Sequence, residues 1–117
     1  MAYNPETNAR HYKYPYKTIY SRLVKSAKKR NLELDISYED FIEFTKQSEC
    51  YYCGDDVEWV KHGKKATKYN LDRLYNNKGY LKDNCVVCCT SCNFFKLHID
   101  ENKFLLKIDK IYNRILR

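Results

Sequence analysis

The feature that most constrains this chain is a set of closely spaced cysteines: Cys50-Tyr51-Tyr52-Cys53, Cys85-Val86-Val87-Cys88 and Cys89-Thr90-Ser91-Cys92. Two C-x-x-C pairs a few tens of residues apart are a strong zinc signal, because four thiolates close a tetrahedron. At 117 residues the chain is one ordinary domain. So short a chain buries a low fraction of its surface, and a metal staple serves a physical purpose in it. No apolar signal-like run precedes the cysteines, and no segment is long enough to span a bilayer. The expected setting is cytoplasmic, without a membrane partner. There, paired cysteines act as metal ligands, whereas a secreted chain would instead call for three disulfides.

Three candidate pairs compete for one tetrahedron, and local geometry chooses between them. Cys50 and Cys53 flank a tight turn relieved by Gly54. The Cys85–Cys88 stretch is β-like, and positions three apart on a strand point to opposite faces. Cys89 and Cys92 open a helical stretch running to Leu97, where positions three apart share a face. The expected structural zinc ligands are therefore Cys50, Cys53, Cys89 and Cys92, with Cys85 and Cys88 as small buried hydrophobes. Four protein ligands leave no open position, so this zinc is structural and not catalytic.

Around the cysteines the periodicity alternates between helix and strand. Ile19, Leu23, Val24 and Ala27 recur at helical spacing among Lys17, Arg22, Lys25, Lys28, Lys29 and Arg30, which predicts an amphipathic basic helix ended by Asn31. Residues 32–36 alternate apolar and polar, as a short strand or extended link. Ser37 caps a second helix carrying Phe41, Ile42 and Phe44. Residues 57–60 suggest a strand, residues 62–65 a basic turn, and residues 68–74 another strand. Residues 76–80 are rich in turn formers and predict a loop. From Asp100, the apolar series Phe104, Leu105, Ile108, Ile111, Tyr112 and Ile115 predicts a C-terminal helix packed on the core. The expected class is α+β, divided into a basic helical region over 1–49, a central unit over 50–98 and a packing helix over 99–117.

Charge points to the partner. The net charge is +7, which suits a polyanion, with nucleic acid ahead of an anionic membrane. The 12 tyrosines could stack on bases or bond phosphates, although half-buried surface of a small core accounts for most of them.

Several segments together resemble the zinc-containing HNH endonucleases, many of them from phages, mobile introns and large DNA viruses. They are Cys50-Tyr51-Tyr52-Cys53-Gly54, Leu71-Asp72-Arg73-Leu74, Asn76-Asn77-Lys78-Gly79-Tyr80, Asp83-Asn84-Cys85-Val86-Val87-Cys88-Cys89, and Cys92-Asn93 followed by Lys96. The resemblance covers roughly residues 50–98 and implies a ββα-metal unit: strand 68–74, loop 75–84, strand 85–88 and helix 89–97. It implies a second, catalytic metal on Asp72 and Asn93. A carboxylate and an amide oxygen are hard donors suited to Mg²⁺ or Mn²⁺, which stabilises a phosphate under attack. It also implies that Asn84 ties the loop back by hydrogen bonds. Lys96, one turn after Asn93, would reach a phosphate.

The pattern breaks at Arg73, which stands where the family has its general-base histidine. An arginine stays protonated and is a poor base. Either Arg73 clamps the scissile phosphate while His62, Tyr69 or His98 takes the proton or the metal itself activates the water, or the enzyme is slow or substrate-restricted, or the domain is a catalytically inactive zinc-stabilised nucleic-acid-binding module. Tyr75 also departs from the aspartate usual in Asp-Arg members. The leading expectation is a metal-dependent endonuclease, monomer or homodimer, acting on double-stranded DNA. Lys25, Lys28, Lys29 and Arg30 would form one phosphate-binding arm, and Lys64, Lys65 and Lys68, with Lys78, further contacts.

Overall fold

A computed structural model describes residues 14–61 and 69–117. His62, Lys64, Lys65 and Lys68, and the basic turn and strand start expected around them, lie outside the described residues.

The first helix, α1 (Lys17–Lys29), buries Ile19, Leu23 and Ala27, a row at i, i+4 and i+8 on one face. Lys25, Lys28 and Lys29 are exposed on the other side. Asn31 ends it at φ 56°, a left-handed position that asparagine tolerates better than most side chains. Leu32 N–H then bonds back to Ala27 O at 2.8 Å. A short strand β1 (Leu34–Asp35) leads to α2 (Tyr38–Thr45). Ser37 and Asp40 form a reciprocal capping box at the start of α2. Phe41 of α2 is fully buried, edge-on to Tyr20 and Trp59 at 5.5 and 5.7 Å.

Residues 57–60, expected as a strand, are not one. The segment carries only an isolated bridge between Glu49 and Asp56 beside it. Single anchors replace a ladder: Val57 N–H bonds Ser48 O at 2.7 Å, and the Trp59 indole N–H bonds Gln47 O at 2.7 Å.

Strand β2 (Leu71–Arg73) pairs antiparallel with β4 (Cys85–Val87), Asp72 lying opposite Val86 and Arg73 opposite Cys85. Between them comes β3 (Tyr80–Leu81), then one 3-10 turn (Lys82–Asn84). The expected loop therefore contains a strand, and β3 pairs parallel with β1. Gly79 permits this approach, because a Cβ there would collide with the Glu33 backbone carbonyl. After β4 comes α3 (Thr90–Lys96), capped by Cys89. One buried cluster runs from Ile19 through Phe41, Cys50 and Leu71 to Cys89. It shows no packing boundary between residues 49 and 50.

The last helix, α4 (Glu101–Ile111), continues in a π-helical turn (Tyr112–Leu116). The expectation that it packs along the core is corrected. Among the described residues only its first turn is anchored, through Glu101 N–H to Leu74 O at 2.9 Å and Phe104 against the Tyr52 ring at 5.4 Å. Beyond Phe104 the helix outruns the core, and Ile108, Ile111 and Ile115 are 46%, 52% and 67% exposed. No described helix is long and apolar enough to cross a membrane.

Candidate metal centre and cationic pocket

The Sγ atoms of Cys50, Cys53, Cys89 and Cys92 lie within 4.8 Å of one another. Cys53 Sγ is 3.7 Å from Cys89 Sγ. A tetrahedron with Zn–S bonds of about 2.3 Å has edges of roughly 3.8 Å, so the spacing fits one zinc ion. Two local structures create the cluster. The turn at 50–54 closes with Gly54 N–H to Cys50 O at 3.0 Å, Gly54 taking φ 80°. On the other side Cys89 caps α3, its sulfur accepting from Cys92 N–H at 3.4 Å. Tyr51 N–H to Val87 O at 2.8 Å ties the turn to β4. Burial pushes the Cys50 thiol up, but backbone N–H groups of Cys89, Cys53 and Tyr52 outweigh it and bring its pKa down to about 6. A thiol so disposed is readily the thiolate that a metal requires.

Cys85 and Cys88 stay out of the cluster. Both are buried, and burial pushes the Cys85 thiol up to about 12. Burial likewise raises Cys88, whose sulfur donates to Cys89 O at 3.3 Å. They are packing residues beside the metal centre.

A pocket of about 370 Å³ opens against β2 and α3. Asp72, Arg73, Asn93, Lys96, His98 and Arg30 all line it. Asp72 is only 5% exposed. Its Oδ2 accepts from the Tyr52 hydroxyl at 2.7 Å and faces Lys96 Nζ at 3.0 Å. Burial first, and then the Asp72 carboxylate, hold the Tyr52 hydroxyl protonated far above the usual phenol range. Asn93 projects from α3 beside Lys96 and is half-buried.

Two expected phosphate contacts are otherwise engaged. Lys96 is 1% exposed, and its ammonium also donates to Arg73 O at 2.9 Å. It is an internal cation joining α3 to β2, without the open face a phosphate contact needs. Arg73, 8% exposed, donates to Asn76 O at 2.9 Å, Lys78 O at 2.8 Å and Asn76 Oδ1 at 3.0 Å. Its guanidinium also lies over the Tyr80 ring at 5.7 Å. It braces the loop between β2 and β3.

Asn84 is 2% exposed and bridges the same loop. Its Oδ1 accepts from Tyr75 N–H at 3.0 Å, and its Nδ2 donates to Tyr75 O at 3.1 Å and Gly79 O at 2.9 Å. Tyr75 thus enters the site by its backbone, while its exposed ring carries only the Lys78 ammonium, 5.4 Å from the centroid. Of the candidate proton acceptors, Tyr69 and His98 line the pocket. Sequence reasoning missed the place of Tyr52, because a tyrosine inside a C-x-x-C turn gives no hint of a carboxylate partner on a distant strand. It grouped Arg30 with the lysines of the basic helix, whereas the structure sets Arg30 on the pocket lining.

No family model matches the chain, and no solved structure matches it. Over 94 residues it is 34% identical to an uncharacterized protein of Acanthamoeba polyphaga mimivirus. The match spans 80% of this chain and 16% of that protein, so the chain corresponds to a small part of a much longer relative.

Proposed function

We propose that this chain is a metal-dependent endonuclease of the HNH type, hydrolysing phosphodiester bonds of double-stranded DNA. The observation that carries the reading is that Asp72 and Asn93 both line one pocket, carried by an antiparallel strand pair followed by a helix. That order is the one the resemblance implies for a ββα-metal unit. The zinc cluster sits at the N-terminal end of the same helix and would hold Asn93 in place.

The donor set fits a hard divalent ion. A carboxylate oxygen of Asp72 and the amide oxygen of Asn93 would hold Mg²⁺ or Mn²⁺. When bound, such an ion supplies electrostatic stabilisation of the charge that develops at phosphate. The chain's own residues do the rest. Tyr52 and Lys96 fix the Asp72 carboxylate. Arg73 and Asn84 hold the loop that forms the pocket's edge. His98, an imidazole on the wall, is suited to accept a proton from an attacking water.

A second reading, a zinc-stabilised nucleic-acid-binding module without catalysis, is favoured by one contact: Asp72 Oδ2 already has the Lys96 ammonium beside it. Plasmid relaxation separates the two. Zinc-loaded protein with Mg²⁺ or Mn²⁺ is expected to nick or cut supercoiled DNA, and Asn93→Ala to lose that activity. Wild-type protein that binds DNA and cuts with neither ion would favour the binding module.

A further inference from the structure

The pocket has three cations on its wall, Arg30, Arg73 and Lys96, against one carboxylate, Asp72. Two of the cations are occupied. Lys96 is paired with Asp72, and Arg73 is buried and spends three of its five N–H donors on two carbonyls and an amide oxygen of the loop. Arg30 differs from both. It is exposed, and its side chain donates to a neutral group, the Tyr80 hydroxyl, at 3.3 Å. Among the described residues no carboxylate lies within ion-pair distance of it.

Its position is also fixed from both sides. Arg30 N–H closes α1 on Ser26 O at 3.0 Å, and three residues later Glu33 O accepts from Tyr80 N–H at 2.7 Å. The guanidinium thus stands beside a tyrosine pair whose hydroxyls are 3.1 Å apart, Tyr69 and Tyr80. A planar cation lacking an acidic partner, flanked by hydroxyls and facing a net-positive pocket, is built for an oxyanion with several acceptor oxygens. A phosphodiester of DNA is that group.

We propose that Arg30, on the end of α1, is the phosphate-binding arginine of this pocket, exposed where Arg73 is buried and committed to the loop. The proposal deepens the nuclease reading and rests on it for the identity of the anion as DNA phosphate. Arg30 is then a substrate-binding residue, positioned by Tyr80. It stands apart from the surface lysines of α1, which contribute only diffuse charge.

The test uses zinc-loaded full chain and a short fluorescein-labelled DNA duplex, read by fluorescence anisotropy across a salt series with no Mg²⁺ or Mn²⁺ added. Arg30→Gln is expected to weaken binding about tenfold or more, as for loss of a charge-assisted contact. It should also lower the salt slope by about one. Lys25→Gln, a surface charge on the same helix, should cost about threefold or less. Arg30→Lys keeps the charge, so it should retain the slope while losing part of the affinity that a forked donor provides. Unchanged zinc content and thermal midpoint confirm that the variants are folded. Arg30→Gln no weaker than Lys25→Gln, or wild-type protein that does not bind the duplex, overturns the proposal. Cleavage with Mg²⁺ is scored separately. Protein that binds through Arg30 and never cuts defeats the nuclease reading while leaving the phosphate subsite standing. Protein that cuts while Arg30→Gln binds and cuts normally does the reverse.

Discussion

Lys96 carries a charge into the interior, and that charge dictates how neighbouring residues can be tested. Its side chain is 2% exposed, and its ammonium is compensated by Asp72 Oδ2 and the Arg73 carbonyl. Removing one partner of a buried pair leaves the other uncompensated, at a cost of about 3–5 kcal/mol. Lys96→Ala is therefore expected to lower unfolding stability by that order in urea denaturation; a loss under 1 kcal/mol would mean that the pair is solvated. Asp72→Ala carries the same penalty, so loss of activity in it would mix chemistry with stability. Asn93 makes no side-chain hydrogen bond among those recorded for the described residues and is the cleaner position. The four clustered cysteines were legible in the sequence because cysteine spacing and local geometry are both short-range. The fates of Arg73 and Lys96 were not. Each is settled by partners across the loop or on another element, and a cation on a helix turn reads the same whether it faces solvent or a carboxylate.

At the scale of elements, two joints hold the pocket together. The first is the parallel contact of β1 with β3, where Gly79 lies against the Glu33 backbone. Gly79→Ala would press a methyl into rigid backbone, and overpacking of this kind costs about 1–3 kcal/mol. The expected signature is a lower thermal midpoint with faster amide exchange at Tyr80, whose N–H bonds Glu33 O. Unaltered exchange would contradict the close approach. The second joint is the cysteine cluster, tying the turn at residues 50–54 to the start of α3. Structural zinc binding is worth about 10–16 kcal/mol in small domains, as much as the whole stability of a typical one at about 5–15 kcal/mol. Chelation should therefore unfold the chain cooperatively by circular dichroism, and added Zn²⁺ should restore it; a chelated protein with an intact spectrum would show that the cysteines are not a staple. The order strand, loop, strand, helix was readable from periodicity and turn residues. The β1–β3 pairing was not, because two residues carry too little pattern and their partners lie far apart in the chain.

For the whole molecule, the notable feature is that α4 leaves the core after its first turn. A helix with apolar residues at three and four spacing reads from sequence as a packed one, since periodicity reports amphipathicity and says nothing of where the rest of the chain ends up. Phe104→Ala, which removes the anchored ring, should cost about 3–5 kcal/mol, whereas Ile115→Ala should stay within about 0.5 kcal/mol of wild type in the isolated chain. Equal losses at both positions would place the far turns of α4 on the core after all. Arg30 links the exposed lysines of α1 to the pocket, which suits one continuous polyanion running over both. The proposed activity is that this surface cuts what it holds, with Asp72 and Asn93 as the working pair. It is tested most directly by relaxation of supercoiled plasmid by wild-type protein and Asn93→Ala, at matched zinc content and with Mg²⁺ or Mn²⁺. Wild type is expected to nick or cut in a metal-dependent way, and the variant to be slower by at least about a hundredfold, the upper range for losing even an outer partner of a metal; equal rates for the two proteins, or no cutting by wild type with either ion, would overturn the nuclease reading.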